Sequence, residues 1–260
     1  MLHPTPDVKH RIFFPNLDGL RFISFMLVFG FHIHKTIHDK YLMDGIEMPA
    51  AFKILQIIFK NGQLGVNLFF VLSGFLITYL LIKEKELKGR INVGKFYMRR
   101  ILRIWPLFYV CIFTGFVLFP LITSSIGITQ PENANPLYYL LFLNNFDVIN
   151  TGFPSALILG ILWSVAVEEQ FYLAWPLLLF LVPLRYLKHL CIGIIVASVL
   201  FRFMNRDNPS VLYFHTFAVI GDMALGGLLG FFTSYESRFK NWMVKLPRVF
   251  IIALYLGAIC

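Results

Sequence analysis

Long apolar segments recur along this chain and constrain its fold more than any other feature. A helix needs about 20 apolar residues to cross the hydrocarbon core of a bilayer, so such segments are candidate membrane spans. They cover residues 17–37, 64–82, 104–122, 162–183, 190–204, 211–232 and 248–260. Charged residues make up only 14% of the chain and hydrophobic residues 58%, whereas a soluble domain averages about 25% charged residues. These observations predict a polytopic transmembrane helical bundle of the all-α class.

Two apolar segments are shorter than a span. Residues 136–146 contain Asn144 and Asn145, and we expect this piece to be re-entrant, interfacial or a short tilted helix. At the other end, residues 249–260 supply only about a dozen apolar residues, so the sequence is expected to stop inside a helix. We predict a single membrane domain over residues 1–260, with about seven or eight spans present and its C-terminal helices missing.

Basic residues predict the orientation of the spans. Residues 83–103 carry eight Lys and Arg against two Glu, which places this loop in the cytoplasm by the positive-inside rule. Lys9 and Arg11 then place the N-terminus inside as well, and the stretch 123–160, which contains no Lys or Arg, lies outside. The net charge of +9 is explained by these loops, so it gives no reason to expect a nucleic-acid partner.

An arginine and a histidine stand inside the first apolar segment. Ten residues separate Arg21 from His32, so in a helix both side chains return to nearly the same face, about 16 Å apart along the axis. An arginine within a span costs about 2.5–3.5 kcal/mol on insertion scales, so it normally faces a protein interior or a watery cavity. The simpler interpretation is an arginine that snorkels to the headgroups and a histidine that bonds a neighbouring helix. The functional interpretation is an imidazole that accepts a proton from a hydroxyl.

A second polar group opens the segment at residue 162. Ser164, Glu168 and Tyr172 are spaced i, i+4 and i+8, so they share one helix face. Either these residues lie in water at the outer interface, or Glu168 orients His32 and stabilises its imidazolium, as a carboxylate does in a catalytic triad.

Arginines form a third group, Arg99, Arg100 and Arg103. They serve either as plain positive-inside charge or as a dock for a phosphate-bearing donor at the cytoplasmic face, because guanidinium forks match phosphate oxygens. A further carboxylate, Asp222, stands among small residues, which implies close helix contact and a partner such as an arginine. No metal site is predicted.

Four motifs in this order resemble the acyltransferase-3 family of integral-membrane O-acyltransferases. They are Leu17–Arg21 followed by His32, residues 65–75 (GVNLFFVLSGF, with Ser73), residues 96–106 (FYMRRILRIWP) and residues 163–172 (WSVAVEEQFY). The family has about ten spans, which agrees with an incomplete last helix, since a dozen residues cannot cross a bilayer.

The resemblance implies an enzyme of the cell membrane that transfers an acyl group, usually acetyl, from cytoplasmic acyl-CoA to a hydroxyl of a cell-surface or exported glycan or glycolipid. Acceptors in the family include lipopolysaccharide and peptidoglycan; acyl-CoA is a co-substrate, and no bound cofactor is expected. The family's arginine–histidine pair matches Arg21 and His32. Its R-x-x-R motif matches Arg100 and Arg103, and its W-S…E motif matches Trp163, Ser164 and Glu168.

These matches imply roles for individual residues. His32 is the expected general base or transient acyl carrier, Glu168 orients it, and Arg21 binds the thioester end of the donor. The remaining residues are expected to bind the CoA phosphates (Arg99, Arg100 and Arg103) or to support the site (Ser73, Ser164, Tyr172 and Asp222).

Two other functions fit a chain of this composition. A proton-coupled transporter would use Arg21, His32 and Glu168 as a relay, but it predicts internal repeats, and none is detected. A non-catalytic membrane scaffold predicts that substitutions of these residues affect folding alone.

Overall fold

The computed structural model describes residues 15–49, 52, 55–56, 59–127, 131–236, 241–242, 245 and 247. Over these residues the chain is helical, with no β-strand. The helices are α1 (Pro15–Met43), α2 (Leu64–Lys88), α3 (Val93–Phe113), α4 (Phe119–Ser125), α5 (Pro136–Leu140), α6 (Asn144–Thr151), α7 (Leu157–Gly160), α8 (Leu162–Leu181), α9 (Leu187–Met204), α10 (Pro209–Phe214) and α11 (Thr216–Tyr235). A π-helical turn, Thr114–Leu118, joins α3 to α4.

Six of the described helical stretches are long and apolar enough to cross a bilayer, and they confirm the predicted all-helical membrane architecture. They are Leu17–Met43, Leu64–Lys88, Val93–Ser125, Leu157–Leu181, Leu184–Met204 and Pro209–Tyr235. Each overlaps one of the first six predicted spans. The seventh predicted span, residues 248–260, lies outside the described residues.

The chain divides into two compact units, one up to Gly65 and one from Val66 onwards. In the first unit, α1 packs against the residues that lead into α2. A side chain at Gly62 would collide with the backbone of Leu27, and one at Gly65 with that of Ser24. The absence of a Cβ at these positions lets the two backbones touch, as small residues do in membrane helix packing.

In the second unit, α2 and α8 run side by side in the same direction. The Ser73 hydroxyl of α2 donates to Glu168 of α8 at 2.6 Å. Further along both helices, the Trp175 indole of α8 donates to the Thr78 hydroxyl of α2 at 2.8 Å. The second contact is nearer the C-terminus of both helices than the first, so the two helices are parallel.

By contrast, α3 runs antiparallel to α8. Near its start, the Tyr97 hydroxyl donates to the Leu173 carbonyl at 2.6 Å, and further along the Trp105 indole donates to Glu169 at 2.9 Å. The end of α4 and the start of α8 therefore lie at the same end of the second unit. The connection between them, of which residues 126–127 and 131–156 are described, therefore begins and ends at the same end of this unit.

That connection contains the predicted short piece, residues 136–146. It forms α5 and the start of α6, which are separated by a break where Phe142 adopts a φ of 56°. The Glu132 carboxylate fixes the ends of the connection by accepting the backbone N–H groups of Ala134, Ser155 and Ala156 at 2.9–3.1 Å. The piece is thus a pair of short helices rather than one tilted helix.

Close backbone contact positions α11 against α2. A side chain at Gly226 would collide with the backbone of Val71 and Phe75. On its other side α11 packs antiparallel to α9, where the Ser198 hydroxyl donates to the Ala218 carbonyl at 3.0 Å. The core between α2, α8 and α11 is filled by fully buried side chains that include Trp175 and Met223.

Candidate functional site

Three consecutive polar residues of α8, Glu168, Glu169 and Gln170, contact three different neighbours; we call them the Glu168–Gln170 triplet. Successive side chains on a helix are about 100° apart, so adjacent residues point in different directions. Glu168 faces α2, Glu169 faces α3, and Gln170 faces α6 and α11. A triplet of this kind inside an apolar span is costly unless each member has a partner.

Glu168 is held by a hydroxyl of α2. Ser73, which is buried, donates to its Oε1 at 2.6 Å, and the Tyr172 side chain also acts on this carboxylate. Tyr172 lies four residues further on, as the predicted shared helix face requires. Ser164, the third member of that face, instead donates to the Ile161 carbonyl of its own helix at 3.3 Å.

Arg100 lies beside the two glutamates. Its guanidinium carbon is 5.4 Å from the ring centre of Tyr172 and 5.6 Å from that of Phe96, and its charge acts on both Glu168 and Glu169. Arg100 is half-buried. The role of Arg100 in binding the CoA phosphates stays a prediction.

Arg99 and Arg103 are exposed, and Arg99 lies 3.9 Å from Glu84 of α2. Around α3, Arg103 lies about 40° from Arg99 and about 60° from Arg100. Exposure rather than spacing therefore separates Arg100 from the other two arginines. The predicted arginine cluster thus divides into two outward-facing residues and one that faces the acids.

Glu169 was not among the predicted site residues. Its Oε2 accepts the Trp105 indole N–H, while its buried Oε1 has no hydrogen-bond partner within the described part of the chain. The signal in the sequence was the adjacency of two acids at the start of an apolar helix. What the sequence could not indicate is that α3 supplies both Trp105 and Arg100 to this carboxylate.

Gln170 completes the triplet with a closed ring of amide and hydroxyl contacts. Its Nε2 donates to the Phe142 carbonyl at 2.7 Å and to Asn145 Oδ1 at 2.9 Å. Asn145, fully buried, donates in turn to the Thr216 hydroxyl at 3.1 Å, and Thr216 donates back to Gln170 Oε1 at 2.5 Å. The ring joins α6 and α11 to the same turn of α8 that carries the two glutamates.

Asp222 of α11 has a polar partner, as its position among small residues predicted. That partner is an amide rather than the arginine given as an example. Asn67 of α2 donates to Asp222 Oδ2 at 2.6 Å. An arginine, Arg202 of α9, also acts on this carboxylate electrostatically. The pair links the start of α2 to α11. Because Gly226 contacts Val71 and Phe75 further along both helices, α2 and α11 run in the same direction.

Arg21 and His32 lie on α1, in the first unit. The Arg21 guanidinium is 3.7 Å from the Asp18 carboxylate, and His32 is partly buried with its ring edge-on to Phe31. Glu168 belongs to the second unit. The role of Glu168 in orienting His32 therefore stays a prediction.

Outside the spans, Asp147 of α6 is a buried carboxylate that accepts the Asn135 backbone N–H at 2.9 Å. Burial raises its pKa, the Asn135 N–H opposes that change, and the charge of Glu132 adds to it. Burial likewise raises the pKa of the Tyr139 phenol, with further contributions from Asp147 and Glu132. Both groups lie in the connection that the sequence predicts on the outer side of the membrane.

The comparison with known families gives one match that covers nearly all of the chain. A family model described as an acyltransferase domain matches residues 14–260. That range includes all four motifs and every residue of the site described above.

Curated relatives carry related names. The chain is 29% identical over 236 residues to the peptidoglycan O-acetyltransferase OatA of Listeria monocytogenes, which covers 85% of this chain and 34% of the relative. It is 36% identical over 162 residues to a putative peptidoglycan O-acetyltransferase, YrhL, of Bacillus subtilis, covering 56% and 25%. A putative O-acetyltransferase of Staphylococcus aureus is 29% identical over 239 residues, covering 86% and 35%.

The chain therefore spans between a quarter and about a third of the length of these relatives. No solved structure matches it.

Proposed function

The chain belongs to the acyltransferase-3 family, and on that premise we propose that it is a membrane O-acetyltransferase. It takes an acetyl group from cytoplasmic acetyl-CoA and delivers it to a hydroxyl of an exported glycan. The observation that carries this proposal is the acyltransferase match over residues 14–260, because it covers the whole site. The names of the relatives support acetyl as the group transferred and a peptidoglycan-type glycan as the acceptor.

In the proposed reaction, the acceptor hydroxyl loses its proton to the His32 imidazole while its oxygen attacks the thioester carbonyl of the donor. The carbon–sulfur bond breaks, the ester forms, and CoA leaves as the thiolate, which takes up a proton. If His32 instead carries the acetyl group, its nitrogen attacks the thioester first and the glycan oxygen attacks the acyl-imidazole second. Either route needs an imidazole that is neutral at the start, which suits histidine near neutral pH.

The remaining roles follow the chemistry of the donor and the positions of the side chains. Arg99 and Arg103 are exposed and would bind the CoA phosphates, because guanidinium groups form paired hydrogen bonds with phosphate oxygens. Arg21 would hold the thioester arm, and Glu168 would stabilise the His32 imidazolium as it forms.

The protein is multi-pass, with six described helices suited to span a membrane. We place its N-terminus and the basic connection over residues 83–103 in the cytoplasm, by the positive-inside rule. The acidic connection over residues 126–156 then faces outward, where the glycan is. This arrangement puts the phosphate-binding arginines on the side that contains acetyl-CoA.

The test uses inside-out membrane vesicles that enclose peptidoglycan fragments in their lumen and receive radiolabelled acetyl-CoA from the medium, on the cytoplasmic face. We expect label to enter an alkali-labile ester on the glycan with release of free CoA. Because a general base contributes about 10²–10⁴-fold to rate, His32→Ala should lower this rate at least about 100-fold. The matched control is His189→Ala, which removes an exposed histidine of α9 and should leave the rate unchanged.

Retention of normal transfer by folded His32→Ala would disprove the role of His32. Absence of CoA release by the wild-type protein would disprove the enzyme and favour a proton-coupled transporter, in which the same intramembrane ionisable residues form a relay.

A further inference from the structure

We propose that Arg100 is a positioning residue that neutralises the Glu168–Glu169 pair, and that donor phosphates are bound by Arg99 and Arg103 without it. The inference rests on the proposed function for the role of Glu168. It assigns two different tasks to the two arginines of the R-x-x-R motif.

The first argument is the way that α3 is fixed against α8. The Tyr97–Leu173 and Trp105–Glu169 hydrogen bonds, at 2.6 and 2.9 Å, hold the two antiparallel helices in register on either side of Arg100. Between these two contacts, the side of α3 that carries Arg100 faces the turn of α8 that carries the glutamates. The position of this guanidinium is thus imposed by the packing of two helices.

The second argument is the surroundings of the guanidinium. The rings of Phe96 and Tyr172 lie 5.6 and 5.4 Å from its central carbon, and both rings belong to buried residues. Tyr172 also acts on Glu168, so the same side chain lies beside both the arginine and the carboxylate. A half-buried guanidinium close to two aromatic rings, and acting on two carboxylates, is less accessible to a donor phosphate than the exposed Arg99 and Arg103.

The third argument is the balance of charge. Two adjacent carboxylates inside a span are costly, and a buried carboxylate that loses its counter-ion is strongly destabilising. The lysines of α2 lie about three turns further along the helix pair and have partners there: Lys83 with Glu86 at 2.7 Å, Lys85 with the Leu179 carbonyl at 2.6 Å, and Lys88 with Glu84 at 3.2 Å. Arg99 also lies toward Glu84. Within the described part of the second unit, Arg100 is the cation that acts on both glutamates.

The experiment compares Arg100→Gln, the double variant Arg100→Gln with Glu169→Gln, and Arg103→Gln in purified full-length protein in detergent. Apparent melting temperature and KM for acetyl-CoA are measured for each. The control for loss of a basic residue is Arg206→Gln, which removes an exposed arginine beyond α9 and should change neither quantity.

We expect Arg100→Gln to lower the melting temperature by at least about 5 °C, because it leaves two carboxylates without their cation. The double variant removes one positive and one negative charge, so it should recover most of that loss and keep KM within about twofold of wild type. Arg103→Gln should leave the melting temperature unchanged and raise KM about tenfold, the effect of losing one charge-assisted hydrogen bond.

Two results would overturn the inference. One is a double variant as unstable as Arg100→Gln; the other is a stably folded Arg100→Gln or double variant with KM raised tenfold. If Arg100→Gln fails to fold, recovery in the double variant decides the question. The melting temperatures need no turnover, so they test Arg100 even if the wild-type protein proves not to transfer acetyl groups.

Discussion

Replacing Gln170 with leucine removes the side chain that joins α6 and α11 to α8. Leucine has a similar volume but no polar atoms, so the change deletes two donated hydrogen bonds and one accepted one. It also leaves Asn145 and Thr216, both buried, with unsatisfied groups. Each buried hydrogen bond contributes about 0.5–1.5 kcal/mol and each unsatisfied group costs about 1–3 kcal/mol, while bonds between membrane helices fall at the low end of such ranges. We therefore expect a loss of about 2–4 kcal/mol.

For a domain of this size, about 1 kcal/mol shifts the melting temperature by roughly 2–4 °C, so the predicted decrease is about 4–16 °C. Thermal unfolding in detergent measures it, with Gln63→Leu as the control because Gln63 is an exposed glutamine. Amide hydrogen exchange should also become faster in α6, which the ring of contacts holds in place, and not in α9. A Gln170→Leu protein that melts within about 2 °C of wild type, with unchanged exchange in α6, would refute the stabilising role of this ring.

Two further predictions concern a buried carboxylate, Asp147, and a partly buried one, Asp222. Burial raises the pKa of Asp147 above its ordinary 3.8. Between about pH 4 and the raised pKa, the folded state therefore holds a proton that the unfolded state has released. The free energy of unfolding falls as pH rises through this range. Asp147→Asn should remove this decline and raise the melting temperature at pH 7; an unchanged pH dependence of melting would contradict it. Asn67→Leu leaves the Asp222 carboxylate without its donor and should cost about 1–3 kcal/mol, whereas the double change Asn67→Leu with Asp222→Leu should be nearly neutral. Melting curves of both variants test this, and a double variant as unstable as the single one would disagree.

Hydropathy predicted the spans well because the bilayer imposes their composition and minimum length. It predicted their ends less well. The first helix continues to Met43 rather than ending at residue 37, and the third begins at Val93 rather than 104. Charged residues such as Arg99 and Lys40 lower the hydropathy of a segment without interrupting its helix, so they mark the edge of the hydrocarbon rather than the end of the helix.

The local part of the site could be predicted from spacing, since Glu168 and Tyr172 are one turn apart on the same helix. The partners from other helices could not. Asn67 and Asp222 are 155 residues apart, and Gln170 and Thr216 are 46 apart. Contacts of this kind depend on the orientation of each helix about its own axis relative to its neighbours. The residue spacing within a single helix does not indicate that orientation.

The Glu168–Gln170 triplet contacts several helices from one turn of α8, and this limits which insertions and deletions α8 can accept. One residue inserted between Trp163 and Glu168 would turn the triplet by about 100°. Glu168 would then face α3 instead of α2, and Glu169 would face α6 instead of α3. The contacts of α8 with all of these helices would be lost together. Among descendants of this chain, length changes upstream of the triplet in α8 are compatible with the fold only when they add whole helical turns.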